Sequence, residues 1–125
     1  MLITYKICLR YACAIPNPDN DDEVFVTGGH YSPTTVSVYN EAGWQRDMPS
    51  LQNKREWHAC ASFKDAFTNR LVVMGGLGSS DTEVFWGNRW QSTGSQLPFV
   101  MSHIRAATID NRVLLFGELV NRSYK

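Results

Sequence analysis

The sequence predicts an all-β protein made of repeated four-stranded units, and three observations support this fold class. The first is an internal sequence repeat, called the echo below. Ala12-Cys13-Ala14 recurs as Ala59-Cys60-Ala61, and Gly28-Gly29 recurs as Gly75-Gly76, both 47 positions later. The second is a succession of short apolar runs broken by turn residues, and the third is the lack of any segment of helical length. A repeat period of about 20 to 50 residues is the signature of a repeat architecture.

Each unit is predicted to begin with two strands of different composition. The first strand is rich in Ala, Cys, Ser and Thr, and its small side chains indicate a crowded position where several units converge. The second strand is continuously apolar, which predicts burial on both faces. The small-residue strands are predicted at 11–15, 58–63 and 105–109, and the apolar strands at 23–27, 70–74 and 112–116.

Two further strands complete each full unit. Residues 35–39 alternate between apolar and polar side chains, which predicts a half-exposed strand, and a strand led by Trp44 follows a turn. The second copy repeats this order at 83–86 and 89–91. Four-stranded units with a period of about 40 to 50 residues are the blades of a β-propeller. The prediction is therefore a partial β-propeller of antiparallel blades stacked side by side.

A family resemblance rests on motifs that occur twice in the same order. A diglycine after the apolar strand is followed by an aromatic residue, a Trp, a proline loop and an Arg. The residues are Gly28, Gly29, Tyr39, Trp44, Met48, Pro49 and Arg55 in copy one, and Gly75, Gly76, Trp86, Trp90, Leu97, Pro98 and Arg105 in copy two. This succession resembles the kelch repeat, with Trp86 in the place of the usual Tyr. The resemblance implies that the aromatic residues bury large areas between neighbouring blades.

The resemblance extends from about Tyr11 to Gly117 and divides the chain into blade-like units at about 8–49 and 55–98, with an incomplete unit at 103–125. The third copy departs from the motif at Gly117-Glu118. Glu118 cannot adopt positive φ as cheaply as Gly, so we expect different local structure there. Kelch propellers close with six or seven blades, so we expect either a fragment or self-association through open blade edges.

Composition excludes several classes of partner. Twelve basic and twelve acidic residues balance, which gives no long-range field for nucleic acid or an anionic membrane. No apolar run spans a bilayer and no signal peptide is visible, so a cytoplasmic location is favoured. Asn121-Arg-Ser123 fits the glycosylation acceptor pattern, which often occurs by chance.

The three cysteines do not predict a disulfide framework, because an odd, small number is not typical of one. Cys13 and Cys60 occupy matching positions of the echo. Matching positions in neighbouring units should lie farther apart than the roughly 7 Å that a disulfide spans. We therefore expect both residues to be small buried hydrophobic side chains.

Candidate partner-binding residues are assigned through the resemblance. It implies that the loops after the diglycines (30–35 and 77–82) share one face with the loops between blades (49–54 and 98–103), and that Arg side chains there bind acidic peptides. Arg suits this role because its planar guanidinium binds carboxylates bidentately. The candidates are His30, Tyr31, Lys54, Arg55, Ser79, His103 and Arg105.

No catalytic set is visible, and neither a cofactor nor a metal is predicted. His58 and Cys60 have poor zinc spacing, and the acidic run at 19–23 lacks the pattern of a calcium loop. The favoured function is a kelch-type protein–protein interaction module without enzymatic activity. The alternative is a fragment of a propeller enzyme or carbohydrate-active protein, similar to galactose oxidase or a sugar epimerase. Loss of activity in His58→Ala or Arg55→Ala would favour this alternative.

Overall fold

Ten antiparallel β-strands form three sheets in the computed structural model, which describes residues 10–119, Leu119 by its backbone alone. The described residues contain no helix. The first sheet contains β1 (Cys13–Pro16), β2 (Val24–Thr27), β3 (Val36–Asn40) and β4 (Gly43–Met48). The second contains β5 (Ala59–Asp65), β6 (Thr68–Met74), β7 (Asp81–Trp86) and β8 (Arg89–Gln96), and the third contains β9 (Met101–Ile109) and β10 (Arg112–Leu119). The chain is an all-β, partial β-propeller-like stack, as the sequence predicts.

The small-residue strands converge as predicted. Within each sheet the strand order follows the chain, so β1, β5 and β9 form corresponding edges, and β5 lies beside both β1 and β9. Backbone hydrogen bonds join these edges: Trp57 N–H donates to the carbonyl of Tyr11 over 3.0 Å, and Ile104 N–H donates to that of Trp57 over 3.2 Å. Small side chains on these strands allow the three sheets to approach closely.

Two apolar layers hold the stack together. The layer between the first two sheets contains Ile15, Phe25, Val36, Val38, Leu51, Cys60, Leu71, Val73 and Trp90. The layer between the second and third sheets contains Ala59, Ala61, Val72, Met74 and Ile104. Each fully buried large side chain contributes about 1.5 to 3 kcal/mol through removal from water. Face-to-face packing of these layers therefore stabilises the stack, in addition to the hydrogen bonds near the inner edges.

The expectation that Cys13 and Cys60 remain unbonded is wrong, because they form a disulfide with Cα atoms 6.0 Å apart. The reason is a one-residue difference in strand register. Cys13 pairs with Thr27, whereas in the second sheet it is Ala59 that pairs with Met74. Thr27 and Met74 both directly precede a diglycine, so the structural equivalent of Cys13 is Ala59.

A shift of one residue moves a side chain to the other face of its sheet. Cys13 therefore points toward the second sheet, and Cys60 points back toward the first, where both contribute to the same apolar layer. The structural repeat between β1 and β5 is 46 residues, although the identical letters recur after 47. The disulfide consequently links neighbouring sheets across their interface.

The same register reassigns the aromatic motif positions. Tyr39 pairs with Trp44, and in the second sheet Phe85 pairs with Trp90. Phe85, not Trp86, therefore occupies the place of the Tyr. Trp90 is 1% exposed between the sheets, as expected, whereas burial of the other two Trp side chains is not observed: Trp44 is 55% and Trp86 49% exposed.

Two physical causes explain these exposed Trp side chains. Trp44 lies on the face of the first sheet that no other sheet covers within residues 10–119. Trp86 lies beside a turn, where the guanidinium of Arg70 packs over its ring at 3.6 Å. A cation over an aromatic face stabilises this arrangement at the surface.

The third sheet departs from the diglycine geometry, as expected. Gly28 and Gly75 have φ of +61° and +64°, whereas β10 continues through Gly117 and Glu118, with a bulge between Phe116 and Glu118. The prediction that the apolar strand is buried on both faces is wrong for β10, because Leu114 and Phe116 are exposed. No following sheet among the described residues covers them.

Three further features bear on the sequence predictions. Cys8 and the Asn121-Arg-Ser123 pattern lie outside the described residues. The described part of the chain has no helix long and apolar enough to cross a membrane. The acidic run forms a turn in which Asn17 and Asn20 side chains accept backbone hydrogen bonds from Asp19 and Asp22.

Candidate interaction surface

The predicted partner-binding loops lie at one end of the sheets and contact each other in pairs. Leu51 N–H donates to the carbonyl of Thr34 over 2.8 Å, which joins the first diglycine loop to the first connection between sheets. Leu97 N–H donates to the carbonyl of Ser80 over 2.7 Å, which makes the same junction in the second unit. These loops, residues 28–35, 49–58, 75–82 and 97–103, are called the loop rim below.

Glycine is required where the rim loops meet. A Cβ on Gly76 would lie 2.8 Å from the carbonyl oxygen of Glu56, and one on Gly75 would lie 2.8 Å from Cδ1 of Ile104. Both glycines also have positive φ, which L side chains rarely adopt. The diglycine therefore allows each loop to pack tightly against its neighbours and fixes the shape of the rim.

Arg55 is a buried structural residue, so its prediction as a partner-binding residue is wrong. Its side chain is inaccessible, and its Nε and Nη2 atoms lie 3.1 Å and 2.8 Å from Oε2 of buried Glu83. Its Nη1 atom donates to the carbonyl of Gly75 over 3.0 Å, and Nη2 lies 3.0 Å from Asp81. Removing one partner of such a buried pair costs about 3 to 5 kcal/mol.

Glu83 extends this ion pair into the neighbouring loop. Its carboxylate accepts hydrogen bonds from the backbone N–H groups of Gln52 and Asn53, over 2.7 Å and 3.2 Å. Asp81 lies at the edge of the network, where burial opposes its ionisation but hydrogen bonds from Ser79 and Arg55 hold its pKa below the usual value. The network thus ties the first inter-sheet connection to β7.

His58 is a buried histidine directly before β5. Its Nε2 atom lies 2.8 Å from the hydroxyl of Thr27 in the first sheet. Burial, together with the nearby Arg55 charge, lowers its pKa to about 4 against the opposing effect of the Thr27 contact. Because His58 and Arg55 are both buried, His58→Ala and Arg55→Ala would report lost packing rather than lost catalysis.

An aromatic stack lies beside the rim, and the sequence interpretation missed it. The rings of Tyr11 and Trp57 are 3.8 Å apart, and those of Trp57 and His103 are 3.7 Å apart. All three residues have positive φ, of 63°, 60° and 54°. Left-handed backbone costs roughly 1 to 2 kcal/mol for a non-glycine residue, so packing must hold these positions. They recur every 46 residues, a spacing hidden by the 47-residue echo.

Apolar side chains project from the rim into solvent. Tyr31 is 78% exposed on the first diglycine loop, Leu77 is 59% exposed on the second, and Phe99 is 56% exposed on the following connection. His30 packs edge-on against Tyr31 at 4.8 Å, and its Nδ1 atom lies 3.3 Å from Oε1 of Glu56. These contacts orient the base of the Tyr31 loop.

The remaining predicted residues take different positions. Lys54 is exposed on the rim, and the half-buried Ser79 hydroxyl donates to Asp81. His103 is part of the aromatic stack, with Nδ1 3.6 Å from Glu118. Arg105 lies within β9 rather than in a rim loop, so the prediction that it lies on the rim is wrong.

An open groove of about 550 Å³ follows the inner strands β1, β5 and β9. Its walls are formed mainly by Ala, Cys and Ile, with Tyr11 and Trp57 at the rim and Arg105 lower down. Within residues 10–119, no three His, Cys, Asp or Glu side chains converge on a possible metal site. The groove therefore offers one exposed cation and no converging acid–base pair.

No family model and no curated protein sequence matches this chain. Among solved structures, the chain is similar to the structure of YjhT, with a TM-score of 0.68 over 87% of this chain at 16% sequence identity. The chain spans about a third (34%) of the length of that protein. At this identity the likeness shows the fold alone.

Proposed function

We propose that this chain is a protein-interaction module of kelch type, and that its loop rim binds a protein or peptide partner. The observation that carries the proposal is the exposure of Tyr31, Leu77 and Phe99 on three of the four rim loops. Single exposed apolar residues are ordinary, but aromatic and apolar anchors concentrated on one surface are typical of binding sites.

The rim is held in place before any partner arrives. The Arg55–Glu83 pair and the inter-loop backbone hydrogen bonds connect its segments, and the glycine contacts leave little space for rearrangement. A surface that is already ordered loses less conformational freedom on binding. This favours recognition by a preformed surface over folding upon binding.

The structure changes the chemistry expected of the partner. With Arg55 buried and Arg105 outside the rim, Lys54 is the exposed permanent cation among the predicted residues there. An acidic partner is therefore less well supported than the sequence analysis predicts. The anchors that remain are apolar, so we expect the partner to present apolar or aromatic side chains as its main contacts.

Selection of a random peptide library against the 125-residue chain tests this proposal. Selected peptides should bind at least tenfold more weakly to Tyr31→Ser or Leu77→Ser, because each substitution removes an apolar anchor. Phe67→Ser is the matched control, since Phe67 is 99% exposed in the β5–β6 turn at the opposite end of the sheet. Peptides that bind the rim variants and the wild type equally would contradict the proposal.

A further inference from the structure

The first sheet has an uncovered face whose residues correspond to a buried face of the second. The apolar side chains of this face, called face 1, are Ala14, Val24, Val26, Tyr39 and Trp44, and the hydrogen-bonded pair Ser37 and Asp47 lies beside them. By strand register, the equivalent residues of the second sheet are Cys60, Leu71, Val73, Phe85 and Trp90. Those residues pack against the first sheet in the apolar layer between the two. Face 1 is therefore one half of an inter-sheet interface whose other half is not among residues 10–119.

The two described strands of the third sheet present the matching side of such an interface. The outward face of this sheet, called face 3, comprises Arg105, Ala107, Ile109, Arg112, Leu114 and Phe116. The equivalent residues of the second sheet include Ala59, Ala61, Val72 and Met74, which are buried against the third sheet. Phe116 is 61% exposed, and Ile109 and Leu114 are also exposed. No sheet within the described range covers this face.

We propose that face 3 of one copy of this chain packs onto face 1 of a second copy. The contact would continue, between molecules, the interface type that joins the first sheet to the second and the second to the third. Both faces are mainly apolar, and their pairing removes Trp44 and Phe116 from water together. A second copy of the chain thus provides the covering surface for each face.

The two arginines of face 3 are compatible with this packing, because Arg112 is the exposed first residue of β10, where its guanidinium can stay in solvent. Arg105 occupies the position equivalent to Cys13, and both residues line the open groove along the inner strands. The guanidinium can extend into the groove while its aliphatic part lies in the interface. On face 1, the carboxylate of Asp47 already accepts hydrogen bonds from Ser37 and Trp44, so the association does not leave a charge buried without a partner.

This assembly is head-to-tail, because it joins two different faces. Such heterologous contacts form a ring if the rotation between copies closes, and an open chain if it does not. Each contact needs one face 1 and one face 3. A molecule with either face blocked can therefore form one contact at most, and blocked molecules of one kind cannot associate with each other.

Sedimentation velocity of the full 125-residue chain and three variants tests the proposal. Wild-type protein should form species heavier than the 14.2 kDa monomer as its concentration rises. Trp44→Asp blocks face 1 and Phe116→Asp blocks face 3, so each variant alone should be monomeric. An equimolar mixture of the two should form a 1:1 dimer through the faces left free. Phe67→Asp, in a turn outside both faces, should associate like the wild type.

Several outcomes would overturn the proposal. A wild-type chain that stays monomeric at all concentrations would show that something other than a second copy covers these faces. Association of either blocked variant alone would indicate a different contact, and so would a mixture that stays monomeric. Circular dichroism checks that the variants keep their strands, which we expect because both substituted side chains are exposed. Failure here leaves the peptide-binding proposal intact, since the rim lies outside both faces.

Discussion

Trp44 and Trp90 occupy equivalent positions in the first two sheets, yet one is exposed and the other is buried. Each Trp lies near the start of the last strand of its sheet, β4 or β8. Trp44 pairs with Tyr39 on the preceding strand, and Trp90 pairs with Phe85. Trp90 packs beneath the first sheet, whereas Trp44 has no sheet above it in residues 10–119. The motif therefore determines where a Trp lies on its strand, and the neighbouring sheet determines whether that Trp stabilises the fold.

Truncation of the two Trp side chains should give the largest difference between the sheets. Trp90→Ala should lower the free energy of unfolding by about 3 to 5 kcal/mol, because it leaves a cavity in the apolar layer. Trp44→Ala should change it by about 0.5 kcal/mol or less, as expected for an exposed site. Urea unfolding in dilute solution measures both values, and equal losses would show that the two faces do not differ in burial.

The disulfide should give the next largest effect, because it joins the two sheets being compared. Reduction, or Cys60→Ala, should lower the free energy of unfolding by about 2 to 4 kcal/mol, since the bond closes a loop with a sequence separation of 47. Cys8→Ala is the matched control, and it should leave the difference between oxidised and reduced protein unchanged. Peptide mapping without reductant should recover Cys13 linked to Cys60, and a linkage that includes Cys8 would contradict the assigned register.

The disulfide also makes the stability of the protein depend on the redox environment. Disulfides persist in oxidising compartments and are rare in a reducing cytosol. A Cys13–Cys60 bond that stabilises the first two sheets would be maintained outside the cytoplasm, which differs from the location favoured by the sequence. Stability measured in reduced and oxidised glutathione buffers would show how strongly the fold depends on this environment.

The pH dependence of stability should give a smaller effect, of about 3 kcal/mol at most, from the second sheet. His58 has a pKa of about 4 when folded and about 6.5 when unfolded, because burial disfavours its charged form. The unfolded chain therefore binds more protons between these values. The full contribution is present above pH 6.5 and is lost as the pH falls toward 4.

Urea unfolding at several pH values measures this contribution. His58→Gln should remove most of the decrease between pH 6.5 and 4, because the amide does not titrate. His103→Gln is the matched control on the rim and should retain the decrease. An unchanged decrease in His58→Gln would assign the pH dependence to other groups. The first sheet has Ala12 in the position of His58, so this dependence belongs to the second sheet alone.

Much of the fold was predictable from local sequence. Apolar runs such as 70–74, bounded by turn residues, predicted strands that the structure contains, and the small side chains predicted convergence at β1, β5 and β9. The disulfide could not be predicted from the sequence repeat, because that repeat makes Cys13 and Cys60 equivalent. In the structure, backbone hydrogen bonds set the register, and the equivalent of Cys13 is Ala59. The β5–β6 hairpin has one more residue between equivalent paired positions, Ala59 and Met74, than the β1–β2 hairpin has between Cys13 and Thr27, and this difference reverses the face on which Cys60 lies.

The candidate site was less predictable because it depends on distant contacts. The loops and His30 and Tyr31 were identified through the family resemblance, and the structure places them on the rim. Arg55 was expected on the surface, but Glu83, far along the chain, buries it in an ion pair. The local feature that indicates this ion pair is Glu83 itself, a carboxylate that directly precedes the apolar residues of strand β7. The aromatic stack needed the 46-residue register, which the sequence echo obscured.

Oxidative footprinting of the four Trp side chains in dilute protein tests the central claim most directly. The claim is that equivalent positions differ in burial because Trp90 faces a neighbouring sheet, whereas no sheet within residues 10–119 covers Trp44. Mass spectrometry should find Trp44 modified at a rate close to that of the exposed Trp86, and Trp90 strongly protected until the protein unfolds. Equal protection of Trp44 and Trp90 in the monomer would contradict the claim.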